Sequence, residues 1–450
     1  MKLTIQPPWR QWHVPAAASA DDHASRQALA EVVNCNADRL GTGRLRGDRP
    51  ILATGHQAFF WHPGILAKDI AVTVAAEAHD GDRLHVVVDQ DVHDVSGLDV
   101  PHVVDERIVV ERVRLGSQRV EVPTGSHPPV TFDTSHPHLP AVLTQAVAGL
   151  PACRSLAEQV TVALARLREP YAPAMPVVFA SQLPQLPVFA ACVERMLADA
   201  SACVLAYNRA AAAHPKAGIA ALQWTRERIE LPLWQLQPDG PRRRVFADLA
   251  DSTPLLVNDD DAPVNDRRTL APRALLLTAQ MRSALCDLFV HGLGGGTYDH
   301  VMEQWWHDWH GGPLAPMAVA TADVHLAFDA PVADRAALDR AVWYAHHLPH
   351  NVGRALGADA DGARQRKDAL LASMRATRDR RRRRAAFDEL HRINDELAAA
   401  HPDLLAAADA QLARARIAIA NAAAARRRDW SIALYPAEAL AALGDAVQMA

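Results

Sequence analysis

Short apolar runs that end in polar clusters, separated by segments of helical period, constrain this chain more than any other feature. Ile51-Leu52-Ala53 runs into Thr54-Gly55, and Leu84-His85-Val86-Val87-Val88 runs into Asp89. Between them, residues 63–79 set Ile65, Leu66, Ile70, Val74 and Ala75 on one helical side. Strand, helix and strand of these lengths make a parallel crossover. The alternation resumes with Val177-Val178-Phe179-Ala180, a helix over 187–198, and Cys203-Val204-Leu205-Ala206, read as a strand. It continues with a helix over 272–284, the strand Leu288-Phe289-Val290, a helix over 298–309 and apolar Met317-Ala318-Val319-Ala320.

Apolar strands alternating with helices predict an α/β fold: a Rossmann-like, mostly parallel sheet covered on both faces. Inserted connecting segments fall near residues 100–140 and 225–265, the second carrying the turn Pro238-Asp239-Gly240. Past residue 353 the character changes. Residues 364–400 and 404–428 are Ala- and Arg-rich with apolar residues at helix-face spacing, and His401-Pro402-Asp403 divides them. The predicted domains are therefore a core over 1–353, a helical hairpin or coiled coil over 354–428, and a return segment over 429–450. The hairpin is the expected homodimer contact.

Composition narrows the function classes. Net charge is −5 and pI near 6.5, so no global field favours nucleic acid, and the arginines at 380–384 read as a solvated helix face. No apolar run is long enough for a membrane span, and the first residues lack a secretory leader. Five scattered cysteines without a C-x-x-C pair point to a reducing cytoplasm.

In open parallel sheets, ligands bind beyond the carboxyl ends of the strands. Here those ends carry Gly55-His56-Gln57, Asp89 to Asp94, Ser181-Gln182, Tyr207-Asn208 and His291-Gly292. His56, Asp91, His93 and His291 are expected to meet in one crevice. Gly55 permits a sharp turn, and His62, Pro63 and Gly64 open a helix whose N-terminus favours an anion. Lysine is confined to Lys2, Lys68, Lys216 and Lys367, which makes Lys68, about one turn past Gly64, conspicuous. Asp91 and His93, with Asp94 adjacent, supply carboxylate and imidazole for a general base or, equally, for a metal. The run Gly292 to Gly296, with Gly294 at its centre, followed by Tyr298 and Asp299, reads as a glycine-rich turn able to cradle phosphate or carboxylate. It lacks a Walker lysine. Trp305, Trp306 and Trp309 at helical spacing read as packing.

This order of landmarks resembles the bacillithiol-biosynthesis cysteine-adding enzymes. That family's Gly-Gln-Gln turn, Gly-Pro pair and lysine-bearing helix are matched by Gly55-His56-Gln57, Pro63-Gly64 in inverted order, and Lys68. Its acidic-Asp-His-Asp cluster is matched by Asp91-Val92-His93-Asp94, and its Gly-Pro-Gly-Glu turn is approached by the glycines up to Gly295, with Asp299 as stand-in for the glutamate. His56 replaces a glutamine and Val92 an aspartate, the marks of a divergent member. The resemblance implies a ligase that joins cysteine to the amine of an amino-sugar conjugate such as glucosaminyl malate. It implies a Rossmann-like core with a C-terminal coiled coil and small-molecule substrates, and it allows ATP as activator, with no metal assigned. His56, Asp91 and His93 would then be catalytic. Gly55, Gln57, His62, Gly64, Lys68, Asp94, His291, Gly292, Gly294, Tyr298 and Asp299 would bind substrate or nucleotide. The competing readings are a metal-dependent hydrolase with His56, Asp91, His93 and His291 as ligands, and a non-catalytic assembly protein.

Overall fold

The computed structural model describes residues 1–14, 23–250 and 254–450, apart from the side chains of Ala358 and Asp359. Its strands are β1 (Lys2–Gln6), β2 (Ile51–Gln57), β3 (Asp82–Val88), β4 (Gly97–Val104), β5 (Arg107–Arg114), β6 (Val177–Phe179), β7 (Arg228–Gln235), β8 (Arg243–Asp248), β9 (Leu255–Asn258), β10 (Leu270–Pro272), β11 (Leu288–His291) and β12 (Met317–Asp323). Helices of the same region are α1 (His23–Leu40), α2 (Pro63–Ala78), α3 (Ala141–Val147), α4 (Leu156–Arg168), α5 (Pro187–Ala198), α6 (Ala200–Ala213), α7 (Ala274–Gln280) and α8 (Leu293–Trp309). Towards the C-terminus come α9 (Arg335–His347), α10 (Val352–Ala355), α11 (Asp361–Ala376), α12 (Arg380–Ala400), α13 (Pro402–Ala425) and α14 (Ala437–Met449).

The fold is mixed α/β. Six strands form one sheet in the order β1-β12-β11-β2-β3-β6, all parallel except β1, which runs antiparallel to β12. From β2 the chain passes through α2 to β3 on one side; β11, on the other side of β2, passes through α8 to β12, away from it. Strand order thus reverses between β2 and β11. Crossovers of one hand moving in opposite directions must lie on opposite faces. The packing agrees. Ile51, Ala53, Leu84, Val86 and Phe289 join a core with Val301, Met302 and Trp305 of α8 and with α1, α5, α6 and α7. Val87 and Val177 face the other way, against Ala157 and Val162 of α4. The three tryptophans of α8 are core, Trp305 and Trp309 lying stacked at 5.6 Å.

The connecting segments form a hairpin, β4–β5, and a separate antiparallel sheet in the order β10-β7-β8-β9. The strand expected at 203–206 is instead the middle of α6. Its apolar run is only four residues long and sits in an alanine-rich stretch, where helix propensity outweighs the single β-branched Val204. Residues 141–168 hold two helices, α3 and α4, with Ser155 accepting from the Glu158 amide as the cap of the second.

Two compact units divide the chain: one of residues 1–100, 111–326 and 428–450, the other of 101–110 and 327–427. In the second, α12 folds back on α11 across a short link where Asp379 caps α12, and α13 packs chiefly on α9. The pairing expected between 364–400 and 404–428 is therefore not the principal one. Because α12 breaks from α11 at 377–379, the first arm closes on itself. The last segment returns to the first unit: Ile432 donates its amide to Trp61 O at 2.7 Å, and α14 packs on α2. Trp9 Nε1 donates to Val447 O at 3.0 Å, tying the two ends of the chain together.

One buried pair fastens the sheet's lower edge. Arg26 of α1 donates through both Nη atoms to the Asp287 carboxylate (2.7 and 3.0 Å) and through Nε to Ala284 O. Asp287 also accepts from the Ile51 amide at 2.8 Å. Asp287→Ala would leave a guanidinium buried and unpaired, and should cost about 3–5 kcal/mol in urea-denaturation stability.

Candidate functional site

At the carboxyl end of β2 the side chains part company. Residues alternate across a strand, so His56 and Thr54 face α2 and α4, whereas Gln57 faces the side of Gly55 and Ala53. On β11, His291 shares the face of Phe289 and points toward α8, with ring centroids 4.7 Å from Phe289 and 6.1 Å from Tyr298. His56 and His291 therefore project from opposite faces, and the single crevice expected for His56, Asp91, His93 and His291 does not form. Three separate arrangements replace it.

The first surrounds α8. Helix formation begins at Leu293, so the glycines are the first turn of a helix rather than a free loop, and Gly292 is its N-cap without a side-chain cap bond. A Cβ on Gly295 would lie 2.6 Å from His291 Nδ1, and one on Gly296 would lie 2.9 Å from Val319, so these positions admit α8 against the sheet. Gly292 and Gly294 face open space. His291 Nε2 lies 3.2 Å from Asp299 Oδ2, and Arg282 pairs with the same carboxylate. Asp299 is fully buried; it orients His291 and does not reach a ligand. Tyr298, half-buried, has its hydroxyl pKa raised by burial and by Asp299.

The second lies at the rim after β3. Gln57 Nε2 donates to Asp91 Oδ2 at 3.2 Å, and Arg242 Nη1 donates to Asp91 Oδ1 at 3.0 Å and to Gln90 O. The Arg242 and Arg273 guanidiniums both stack on Trp234, at 4.2 and 4.0 Å. Asp91 is thus an ion-paired carboxylate that binds rather than a free base. The His93 ring donates from Nε2 to Ala58 O at 3.3 Å, its Nδ1 is sealed from solvent, and burial lowers its pKa. That leaves it unsuited to collect a proton from an incoming amine. Asp94 accepts from Ser96, Gly97 and Arg112; these bonds outweigh burial and hold its carboxyl below the usual range. It closes a turn and is not a ligand group.

The third lies behind β2. His62 is the cap of α2: its Nδ1 accepts the Gly64 amide at 3.1 Å, and burial, aided by Arg428, lowers its pKa to about 4. With Nδ1 spent on the cap and the ring neutral, His62 is a poor phosphate donor. Gly64 is required because a Cβ there would lie 2.7 Å from Thr321 Oγ1. Lys68 donates to Gly55 O at 2.6 Å, and burial brings its pKa to about 8. His56 contacts Phe59 (5.0 Å), which in turn meets His93 (6.1 Å). Phe59 therefore stands between two histidines expected to cooperate.

Among the described residues, His56, Asp91, His93 and His291 do not assemble a metal-ligand group. All five cysteines are free, and burial raises the thiol of Cys192 to about 11 and pushes up those of Cys203 and Cys286, so these three are packing residues. Sequence reasoning missed Arg242, Trp234 and Arg168. Arg242 sits in an ordinary arginine run after a hairpin turn, and Arg168 ends an amphipathic helix like any solvated arginine. Among the described residues no helix is long and apolar enough to cross a membrane. No family model and no curated protein matches the chain.

Asp89, buried after β3, accepts from the Ser181 amide (2.9 Å) and hydroxyl (2.5 Å), and burial raises its pKa from 3.8 to about 6. The folded chain holds this proton more tightly than the unfolded chain. Its stabilising contribution is complete below pH near 4 and is lost as pH rises through about 6. Stability measured by urea denaturation at pH 4 and at pH 7 should show a fall of roughly 3 kcal/mol from this group, absent in Asp89→Asn.

Proposed function

We propose that the chain is a ligase forming a C–N bond, which joins the carboxylate of an amino acid, by resemblance cysteine, to the amine of an amino-sugar conjugate such as glucosaminyl malate. The observation that supports this most is the reversal of strand order between β2 and β11, with Gln57 and the start of α8 at its carboxyl edge. In this reading the carboxylate attacks ATP and becomes either an acyl-phosphate, with ADP leaving, or an acyl-adenylate, with pyrophosphate leaving. With no Walker lysine, the phosphate rests on the first-turn backbone amides and the positive end of α8, where Gly292 and Gly294 leave room for it. As the amine attacks the acyl carbon, the C–N bond forms and phosphate or AMP leaves. The amine's proton passes to Nδ1 of His291, the ring nitrogen not turned toward buried Asp299. Asp91, Gln57 and Arg242 bind the polar acceptor. The general-base role first expected of Asp91 or His93 passes to His291. The hydrolase alternative has less support, because His56, Asp91, His93 and His291 do not gather as a ligand group among the described residues.

Incubation with ATP, cysteine and glucosaminyl malate should yield the amide by mass spectrometry. His291→Gln should lower kcat by about a hundredfold or more. Absence of amide with every amino acid tested, or unchanged turnover in His291→Gln, would overturn the reading.

The second unit is the proposed homodimer contact, since it exposes Trp343, Leu371 and Phe387. The double variant Leu371→Glu, Phe387→Glu should remain folded by circular dichroism and become monomeric by light scattering. A persisting dimer would place the contact elsewhere.

A further inference from the structure

The sheet face covered by α2 and α4 carries ionisable side chains that the proposed reaction does not use. Asp69 of α2, His85 of β3 and Arg168 at the end of α4 are each no more than 2% exposed. His85 Nδ1 donates to Asp69 Oδ1 at 3.0 Å, and Asp69 Oδ2 makes a 2.9 Å ion pair with Arg168 Nε. Beside them is a narrow, partly open cavity. Its lining includes Thr42, His56, Trp61, His85, Leu164 and Arg168. Thr42 Oγ1, His56 Nδ1, His85 Nε2 and both Nη atoms of Arg168 are buried without a hydrogen-bond partner. Buried polar atoms are nearly always paired, and this many on the walls of one cavity mark a place built to receive polar atoms from elsewhere.

Charge selects what fits. Lys68 and Arg168 are cations and Asp69 is the one carboxylate among them; burial keeps His56 and His85 neutral. Neighbouring Arg83 is answered by Glu77 at 3.7 Å. One positive charge is left over in a poorly solvated place, which calls for a single negative charge. The planar pair of Arg168 Nη atoms matches a carboxylate. Because His85 gives its Nδ1 proton to Asp69, its Nε2 is a lone pair and needs a donor on the ligand. A hydroxyl supplies one. An ammonium would cancel the ligand's net charge, and a phosphate dianion would face both this lone pair and Asp69. Trp61, Val87 and Leu164 suit a short carbon chain.

We infer that this cavity is a binding site for a short-chain hydroxycarboxylate of the glycolate type, its carboxylate on Arg168 and its hydroxyl on His85. It is separate from the rim groups assigned to amide formation.

The test is thermal unfolding of the full-length chain at constant ionic strength with glycolate, acetate, glycine, inorganic phosphate and chloride. Glycolate should raise Tm saturably. Acetate, lacking the hydroxyl, should bind roughly tenfold more weakly. Glycine and phosphate should do no more than chloride. Ala165→Leu, which fills the cavity from its half-buried side, should abolish the glycolate shift. Thr42→Val, which removes an unpartnered hydroxyl, should fold at least as well and weaken the shift. No saturable glycolate shift, an equal shift with phosphate, or an undiminished shift in a folded Ala165→Leu or Thr42→Val chain would overturn the inference. Amide formation at the rim would stand or fall independently.

Discussion

The geometry of the first unit hangs on Asp287. Its carboxylate holds Arg26 of α1 and the Ile51 amide, and its own amide donates to Ile51 O at 2.8 Å, so the starts of β2 and β11 are clipped in one register. A slip of one residue would carry every side chain to the other face. His291 would then lose Asp299 of α8, and His56 would leave the cavity behind β2. The pair is costly to desolvate, so its value is better understood as specifying register than as adding stability.

That register accounts for what could and could not be seen in the amino-acid order. The unit from Ile51 to Val88 is legible because each strand is an uninterrupted apolar run and α2 is bounded by a capping histidine and Pro63. The same continuity hides which face each residue takes, since a strand buried on both sides has no alternation to read. Placing His56 and His291 in one crevice failed for that reason. The run Cys203 to Ala206 was illegible for another: four apolar residues carry no period.

Polar residues were legible as a set but not as partners. The cluster Asp89 to Asp94 is conspicuous, yet only the folded chain distributes it, with Asp89 to Ser181, Asp91 to Gln57 and Arg242, and Asp94 to a turn. Nothing in the sequence separates Arg168 from the other arginines. Its distinction is burial beside Asp69, a product of how α4 lies on the sheet. In an arginine-rich chain, the informative arginine is the one the solvent cannot reach.

The return of residues 428–450 to the first unit has a consequence for biosynthesis. Residues 428–450 must be made before Ile432 can meet Trp61, or Val447 can meet Trp9, and before α14 can cover α2. On a ribosome delivering roughly 5–20 residues each second, residues 327–427 emerge while the older portion still lacks its closing helix. Co-translational maturation therefore runs out of sequence order: the unit of 101–110 and 327–427 gets its whole sequence before the unit that holds residues 1–100 is sealed.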